Sequence, residues 1–77
     1  MKKLSNVSIA EFRSVLTKLG LDKKRTKGGH EAWMKPGMSR PVIFQTHVDP
    51  VPEMVIKSNL RTLGISKEDF LKMLEEK

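Results

Sequence analysis

The sequence predicts an α+β domain in which a three-stranded antiparallel sheet carries helices on one face. Three observations lead to this prediction: a capped amphipathic helix near the N-terminus, two strand-like segments joined by Gly28-Gly29, and a second helical pattern after an apolar third strand. A chain of 77 residues is long enough for one hydrophobic core and too short for two. We therefore expect residues 1–77 to form a single domain with the order α-β-β-β-α and a short extra C-terminal helix.

The first helix is predicted from its N-terminal signals. Ser8 and Glu11 have the spacing of a capping box, in which each side chain accepts a hydrogen bond from the other residue's free backbone N–H. Val7 and Phe12 occupy the positions of a hydrophobic staple around this box. The apolar residues that follow at helical spacing form one stripe, and Gly20 marks the C-terminal end.

The three strands are predicted as a meander. A polar segment from Leu21 to Lys27 leads into Gly28-Gly29, a pair typical of a tight hairpin turn, and residues 30–35 return as the second strand. Pro36-Gly37 ends that strand, and residues 41–45 form a third, more apolar strand.

Strand alternation predicts which side chains share a face. Trp33 is the sole tryptophan, and its large area is best used beneath the helices, which places His30 on the opposite, open face. By the same alternation Lys23, Arg25 and Lys27 are expected on one face of the first strand. The open face would then carry His30 beside a basic strand.

Two more helices are predicted after the strands. Residues 53–63 place Met54, Leu60 and Leu63 on one helical face, and Gly64 follows as a C-terminal cap. Ser66 begins a short third helix, whose staple pair is Ile65 with Phe70.

Positive charge is concentrated in the middle of the chain. The formal net charge is +6, and residues 23–45 contain six lysines and arginines against one acidic residue, Glu31. Charge localised in this way favours a polyanionic partner, although a merely solvated surface is the alternative. Neither long helix is basic enough to suggest reading of a DNA major groove. The side chains expected to contact RNA are Lys24, Arg25, Lys27, Lys35 and Arg40.

Composition argues against several other classes of protein. Cysteine is absent and the two histidines are not in metal-ligand spacing, so we expect no disulfide, no metal and no cofactor. No segment approaches the roughly 18 apolar residues of a membrane span. The two N-terminal lysines are not followed by the apolar segment of a signal peptide. A cytoplasmic protein without membrane contact is the expectation.

His30 is the candidate catalytic residue. A histidine in a small domain is usually incidental, but this one follows a glycine pair that permits close approach of a polyanion, and it neighbours the basic strand. Imidazole exchanges protons near neutral pH, so His30 suits acid–base chemistry that needs no metal. A nucleophilic cysteine is excluded, and no serine elbow is recognisable.

The order of these features resembles the HicA family of bacterial toxins. The resemblance extends from about Ser8 to Leu74, and its central signature is a glycine, a small residue, histidine, two variable residues and an aromatic. Residues 28–33 match this signature, and residues 60–70 match the family's later segment. Three positions depart from the family's pattern: Gly29 stands where serine is common, Gln45-Thr46 precede the second histidine (His47) in place of a proline, and Lys57-Ser58 replace a glycine.

The resemblance implies a fold, an activity and a partner. HicA proteins are small messenger-RNA interferases with a fold like that of double-stranded-RNA-binding domains (dsRBD-like), and they cleave RNA without a metal. Their active histidine corresponds to His30, and a HicB-type antitoxin neutralises them. A role for His47 is left open. The alternatives are a non-catalytic dsRBD-like RNA-binding module and a basic domain that docks an acidic protein.

Overall fold

A computed structural model of the chain describes residues 3–75 and confirms the predicted α+β architecture. The three strands form one antiparallel sheet in the order β1-β2-β3. The elements are a short 3₁₀ helix at Leu4–Asn6, which the sequence did not predict, then α1 at Ile9–Lys18, β1 at Asp22–Lys27, β2 at His30–Met34, β3 at Val42–Gln45, α2 at Glu53–Leu63 and α3 at Lys67–Glu75.

The predicted start and end of α1 are confirmed. The Ser8 hydroxyl accepts from the Glu11 backbone N–H at 3.0 Å, and the Glu11 carboxylate accepts from the Ser8 N–H at 2.9 Å. Both staple residues, Val7 and Phe12, are buried. The chain leaves the helix through Gly20, whose φ of +89° lies in the left-handed region that favours glycine.

Each strand is slightly shorter than the sequence predicts. Leu21 is buried, and its N–H bonds to Leu16 O at 3.0 Å, so it closes α1 and does not extend β1. Pro41 has no N–H to donate to the sheet, and β3 begins one residue later.

The sheet has one covered and one open face. Burial along β2 and β3 alternates, which places Glu31, Trp33, Val42 and Phe44 against the helices. The predicted burial of Trp33 is confirmed, since only 8% of it is exposed. His30 faces the other way and is exposed. All six residues of β1 are exposed.

Three phenylalanines join the sheet to the helices. The ring of Phe12 in α1 packs edge-on against Phe44 in β3, with centroids 5.0 Å apart, and against Phe70 in α3 at 5.9 Å. All three side chains are buried. Edge-to-face pairs at these separations add to the stabilisation from burial alone. Phe12 therefore links α1, β3 and α3 in one core.

The helices after the sheet begin and end near the predicted residues. Gly64 closes α2 with a φ of +72°, and Ser66 Oγ accepts from the Asp69 N–H at 3.1 Å at the start of α3. None of the helices within residues 3–75 is both long and apolar enough to cross a membrane.

The position of Phe12 generates a prediction about stability. Phe12→Ala removes a fully buried ring with two aromatic neighbours, so we expect it to lower the free energy of unfolding by about 3–5 kcal/mol. A loss of that size approaches the whole stability of a domain this small. Urea unfolding followed by Trp33 fluorescence measures the change.

The matched control is Met54→Ala, which truncates a side chain that is 81% exposed. We expect it to change the free energy of unfolding by less than about 0.5 kcal/mol. Equal losses from the two variants would show that Phe12 does not centre the core.

Candidate nucleic-acid interface

The open face brings His30 together with two of the predicted cationic residues. Lys27 and Gln45 pair directly with His30 on the neighbouring strands, and Arg25 pairs with Ala32 in the next row. Directly opposed residues of an antiparallel pair have Cβ atoms about 4.5–5.5 Å apart. A hollow of about 160 Å³ lies over these rows, lined by Arg25, Lys27, His30, Glu31, Ala32 and Ile43.

The imidazole of His30 is exposed and held at one end. Its Nδ1 lies 3.2 Å from Gly28 O. A carbonyl only accepts, so this contact is a hydrogen bond when Nδ1 carries the proton, and in the neutral ring Nε2 is then the acceptor. In that tautomer His30 presents a proton acceptor to solvent beside two cations.

The predicted distribution of the β1 lysines is wrong at one position. The β1–β2 pairing shifts between Lys23 and Arg25, so that Lys23 pairs with Trp33 while Arg25 pairs with Ala32. Paired residues share a face, which places Lys23 on the helix side of the sheet and away from Arg25 and Lys27. Lys24 is the extra, exposed residue at this irregularity.

The remaining predicted contacts lie away from His30. The half-buried Lys35 donates through Nζ to Leu19 O at 3.2 Å, where it caps the C-terminal end of α1. Arg40 is exposed between β2 and β3 and lines a different hollow, together with Ser39, Ser58, Arg61 and Thr62. The structure thus groups Arg25, Lys27 and His30, and separates Lys35 and Arg40 from them.

A buried carboxylate anchors the strand that carries His30. Glu31 is 2% exposed and accepts from Trp33 Nε1 at 2.9 Å and from Arg13 Nε at 3.2 Å. The second Glu31 oxygen pairs with the Arg13 guanidinium, so the arginine binds in a two-point fork. This pairing connects α1 to β2, one residue from His30.

The environment of Glu31 favours its charged form. Burial acts to raise the pKa of this carboxyl, but hydrogen bonds from Arg13 and Trp33, with the positive charges of Arg13 and Lys23, outweigh burial. The pKa of Glu31 therefore lies below its usual value of 4.5. Sequence analysis missed this role because Glu31 was counted only as a charge.

The second histidine lies against the same turn as the first. A Cβ built on Gly29 would lie 3.1 Å from His47 Nδ1 and 3.3 Å from His47 Cε1. The φ of Gly29 is +79°, which side chains rarely adopt. Any side chain at this position would therefore be strained by the backbone and crowded by the His47 ring.

The loop that carries His47 is fastened on both sides. Thr46 donates to Gly29 O through its N–H at 2.8 Å and its hydroxyl at 3.1 Å. Further along, Asp49 accepts from the Ile9 N–H at 3.2 Å, and the Val51 N–H donates to Val7 O at 2.8 Å. His47 is thus held between the hairpin turn and the start of α1.

Within residues 3–75, no three His, Cys, Asp or Glu side chains are grouped in a way that could hold a metal ion. No family model, curated protein or solved structure matches this chain.

The buried pair generates a prediction about pH. Because the folded pKa of Glu31 is lowered, its charge stabilises the fold above the usual value of 4.5, and that contribution is lost as pH falls through the folded pKa. Glu31→Gln should lower the free energy of unfolding at pH 7 by about 1–3 kcal/mol, the cost of losing a charge-assisted hydrogen-bonded partner.

Urea unfolding of both proteins between pH 7 and pH 3 measures this difference. We expect the gap between the wild type and Glu31→Gln to narrow at the acidic end. The control is Glu68→Gln at an exposed site on α3, where we expect a change below about 0.5 kcal/mol. A gap for Glu31→Gln that is constant with pH would contradict the assignment.

Proposed function

We propose that this protein is a metal-independent endoribonuclease that cleaves mRNA, and that it acts as the toxin of a type II toxin–antitoxin pair of the HicA kind. The observation that carries the proposal is His30 on an uncovered sheet face, with Lys27 opposite and Arg25 in the next row. The likeness of residues 28–33 to the HicA signature supports the same assignment. RNA is its substrate and a HicB-type antitoxin its protein partner.

RNA supplies its own nucleophile, so the protein has to move protons and stabilise charge. His30 Nε2 accepts the proton of a 2′-hydroxyl as the 2′ oxygen bonds to the adjacent phosphorus. The bond from phosphorus to the 5′ oxygen then breaks, which leaves a 2′,3′-cyclic phosphate and a 5′-hydroxyl. Lys27 and Arg25 stabilise the additional negative charge on the phosphorane.

The leaving 5′ oxygen also needs a proton. His30 accepts one proton in this step, so water or a second protonated group completes the reaction. His47 is one candidate because its ring occupies the space beside Gly29, the residue next to His30, where a Cβ would otherwise lie. Lys27, paired with His30 across the strands, is the other.

The second candidate function is RNA binding without cleavage. The exposed cations of β1 favour it, since phosphate contacts alone hold RNA and need no histidine. RNA integrity after incubation with the wild type in EDTA separates the two functions.

The central prediction concerns His30. His30→Ala should abolish RNA cleavage and growth toxicity, because it removes the proton acceptor from the open face. The side chain is exposed, so the free energy of unfolding should change by less than about 0.5 kcal/mol. Cleavage of a single-stranded RNA in EDTA and toxicity at equal expression are the measurements.

His47→Ala is the comparison variant, and we expect the smaller loss of cleavage from it, because water or Lys27 can still protonate the leaving oxygen. Full toxicity of His30→Ala would contradict the assignment of the catalytic group. An equal loss from both variants would show that the two imidazoles act together.

The cations of the site generate a prediction about salt. Replacing Arg25 and Lys27 with alanine should weaken RNA binding and lower the slope of log affinity against log salt by about 1.4–1.8, or about 0.7–0.9 per lost phosphate contact. Titration of a fluorescent RNA at several salt concentrations gives the slope.

The control removes the same charge elsewhere, through Lys67→Ala and Lys72→Ala on the exposed side of α3. Its slope should stay near that of the wild type. Identical slopes from the two double variants would show that net charge alone drives binding.

A further inference from the structure

A groove leads from the His30 hollow across the open face to α2. It consists of three neighbouring hollows that share lining residues, and a fourth hollow of about 520 Å³ adjoins it along α2, where Lys57 neutralises Glu53 in an ion pair at 3.0 Å. Ile43 belongs both to the His30 hollow and to a second hollow of about 300 Å³, and Ser58 belongs both to the second and to a third of about 360 Å³. The third hollow contains the two arginines Arg40 and Arg61.

The middle of this groove is apolar and its ends are cationic. Ile43 is 46% exposed and Met54 is 81% exposed, and they are the exposed large hydrophobic side chains of the part of the chain that the structure describes. Both line the second hollow, whose described lining has no charged side chain. Arg25 with Lys27 lies at one end, and Arg40 with Arg61 lies at the other.

Specific contacts hold this arrangement in place. Ile43 pairs with Ala32 on the sheet face that the helices leave open. The buried Asn59 donates from Nδ2 to Ile43 O at 3.1 Å, which fixes α2 beside β3. Met54, Ser58 and Arg61 follow one another along α2 at helical spacing, so one side of the helix continues the groove.

We propose that this groove binds unpaired RNA, with one base seated on Ile43 and Met54 and the flanking phosphates at the two cationic ends. The proposal rests on the proposed function, because it names the form of RNA that His30 would cleave. In a single strand, each base lies between two negatively charged phosphates. In the groove, the apolar hollow lies between two cationic ends, so each part of the strand meets a surface of complementary character. Apolar side chains can seat an exposed base, whereas the bases of an RNA duplex are stacked inside and present mainly shape and backbone.

A protein partner with an apolar anchor is the competing occupant of the middle hollow. Such a partner would need acidic groups spaced to meet both cationic ends. An RNA strand supplies phosphates on both sides of every base, so the distribution of charge favours RNA.

The experiment measures binding of a short, fully 2′-O-methylated single-stranded RNA, which lacks the nucleophile and stays intact. Its fluorescence polarisation is compared with that of the same RNA carrying abasic sites and with that of a duplex of equal length. We expect the wild type to bind the abasic RNA about five- to tenfold more weakly, near the lower end of what stacking one base on an aromatic ring contributes, because Ile43 and Met54 are aliphatic. The duplex should also bind more weakly.

The test variant replaces both Ile43 and Met54 with serine, and the control is Ala10→Ser at an exposed position of α1. The double variant should bind intact and abasic RNA equally, while the control should discriminate like the wild type. Circular dichroism and Trp33 fluorescence check folding. If the double variant is unfolded, the single variant Met54→Ser carries the test, with a partial loss of discrimination expected.

Three results would overturn the proposal: equal binding of intact and abasic RNA by the wild type, duplex binding as tight as single-strand binding, or undiminished discrimination by the double variant. A double variant that binds RNA normally but loses an acidic protein partner would assign the groove to protein. Failure of the proposed function is distinct. Base-dependent binding without cleavage of unmodified RNA would support the groove proposal and contradict the ribonuclease activity. Cleavage of RNA without base-dependent binding would support the ribonuclease activity and contradict the groove proposal.

Discussion

The buried carboxylate of Glu31 is the constraint on which the candidate site depends. Strand side chains alternate between faces, so holding Glu31 and Trp33 beneath the helices fixes His30 and Ala32 on the open face. Trp33 alone would favour that orientation through its area. The two-point contact of Arg13 with Glu31 makes this orientation of β2 specific. If β2 were shifted by one residue, Trp33 would be exposed and His30 would lie beside Arg13. The ion pair with Glu31 also neutralises the charge of Arg13, so Arg13 adds little to the attraction for a polyanion.

The hairpin turn shows how local backbone geometry and a distant loop act together. Gly28 and Gly29 both have positive φ, and the missing side chain of Gly29 makes room for the His47 ring. Thr46 bonds twice to Gly29 O, while Asp49 and Val51 tie the far end of the loop to residues 7–9. The missing side chain of Gly29 therefore lets His47 lie against the turn that precedes His30, although 16 residues separate the two histidines in the chain.

Local signals allowed much of the fold to be predicted, and long-range contacts explain what sequence missed. The capping box and the closing glycines lie within a few residues of the helix ends that they determine, so α1 and α2 were predicted nearly residue for residue. The irregularity after Lys23 had no signal because every side chain of β1 is exposed and none selects a register. Lys35 caps α1 by donating to the carbonyl of Leu19, which lies 16 residues earlier, so no local pattern predicts this contact. The groove depends on the hydrogen bond from Asn59 in α2 to Ile43 O in β3, and neither residue belongs to a sequence pattern that predicts this contact.

Positive charge in the central segment is divided between structure and surface. Lys35 stabilises the end of α1, whereas Arg25 and Lys27 face solvent beside His30. Net charge therefore overstates the charge presented at the site, and strand register decides which cations contribute. A domain this small also gains by covering apolar area, yet Ile43 and Met54 stay exposed along one groove. These two side chains lie together in one hollow, between two pairs of cations, and this arrangement is what the RNA-binding proposal rests on.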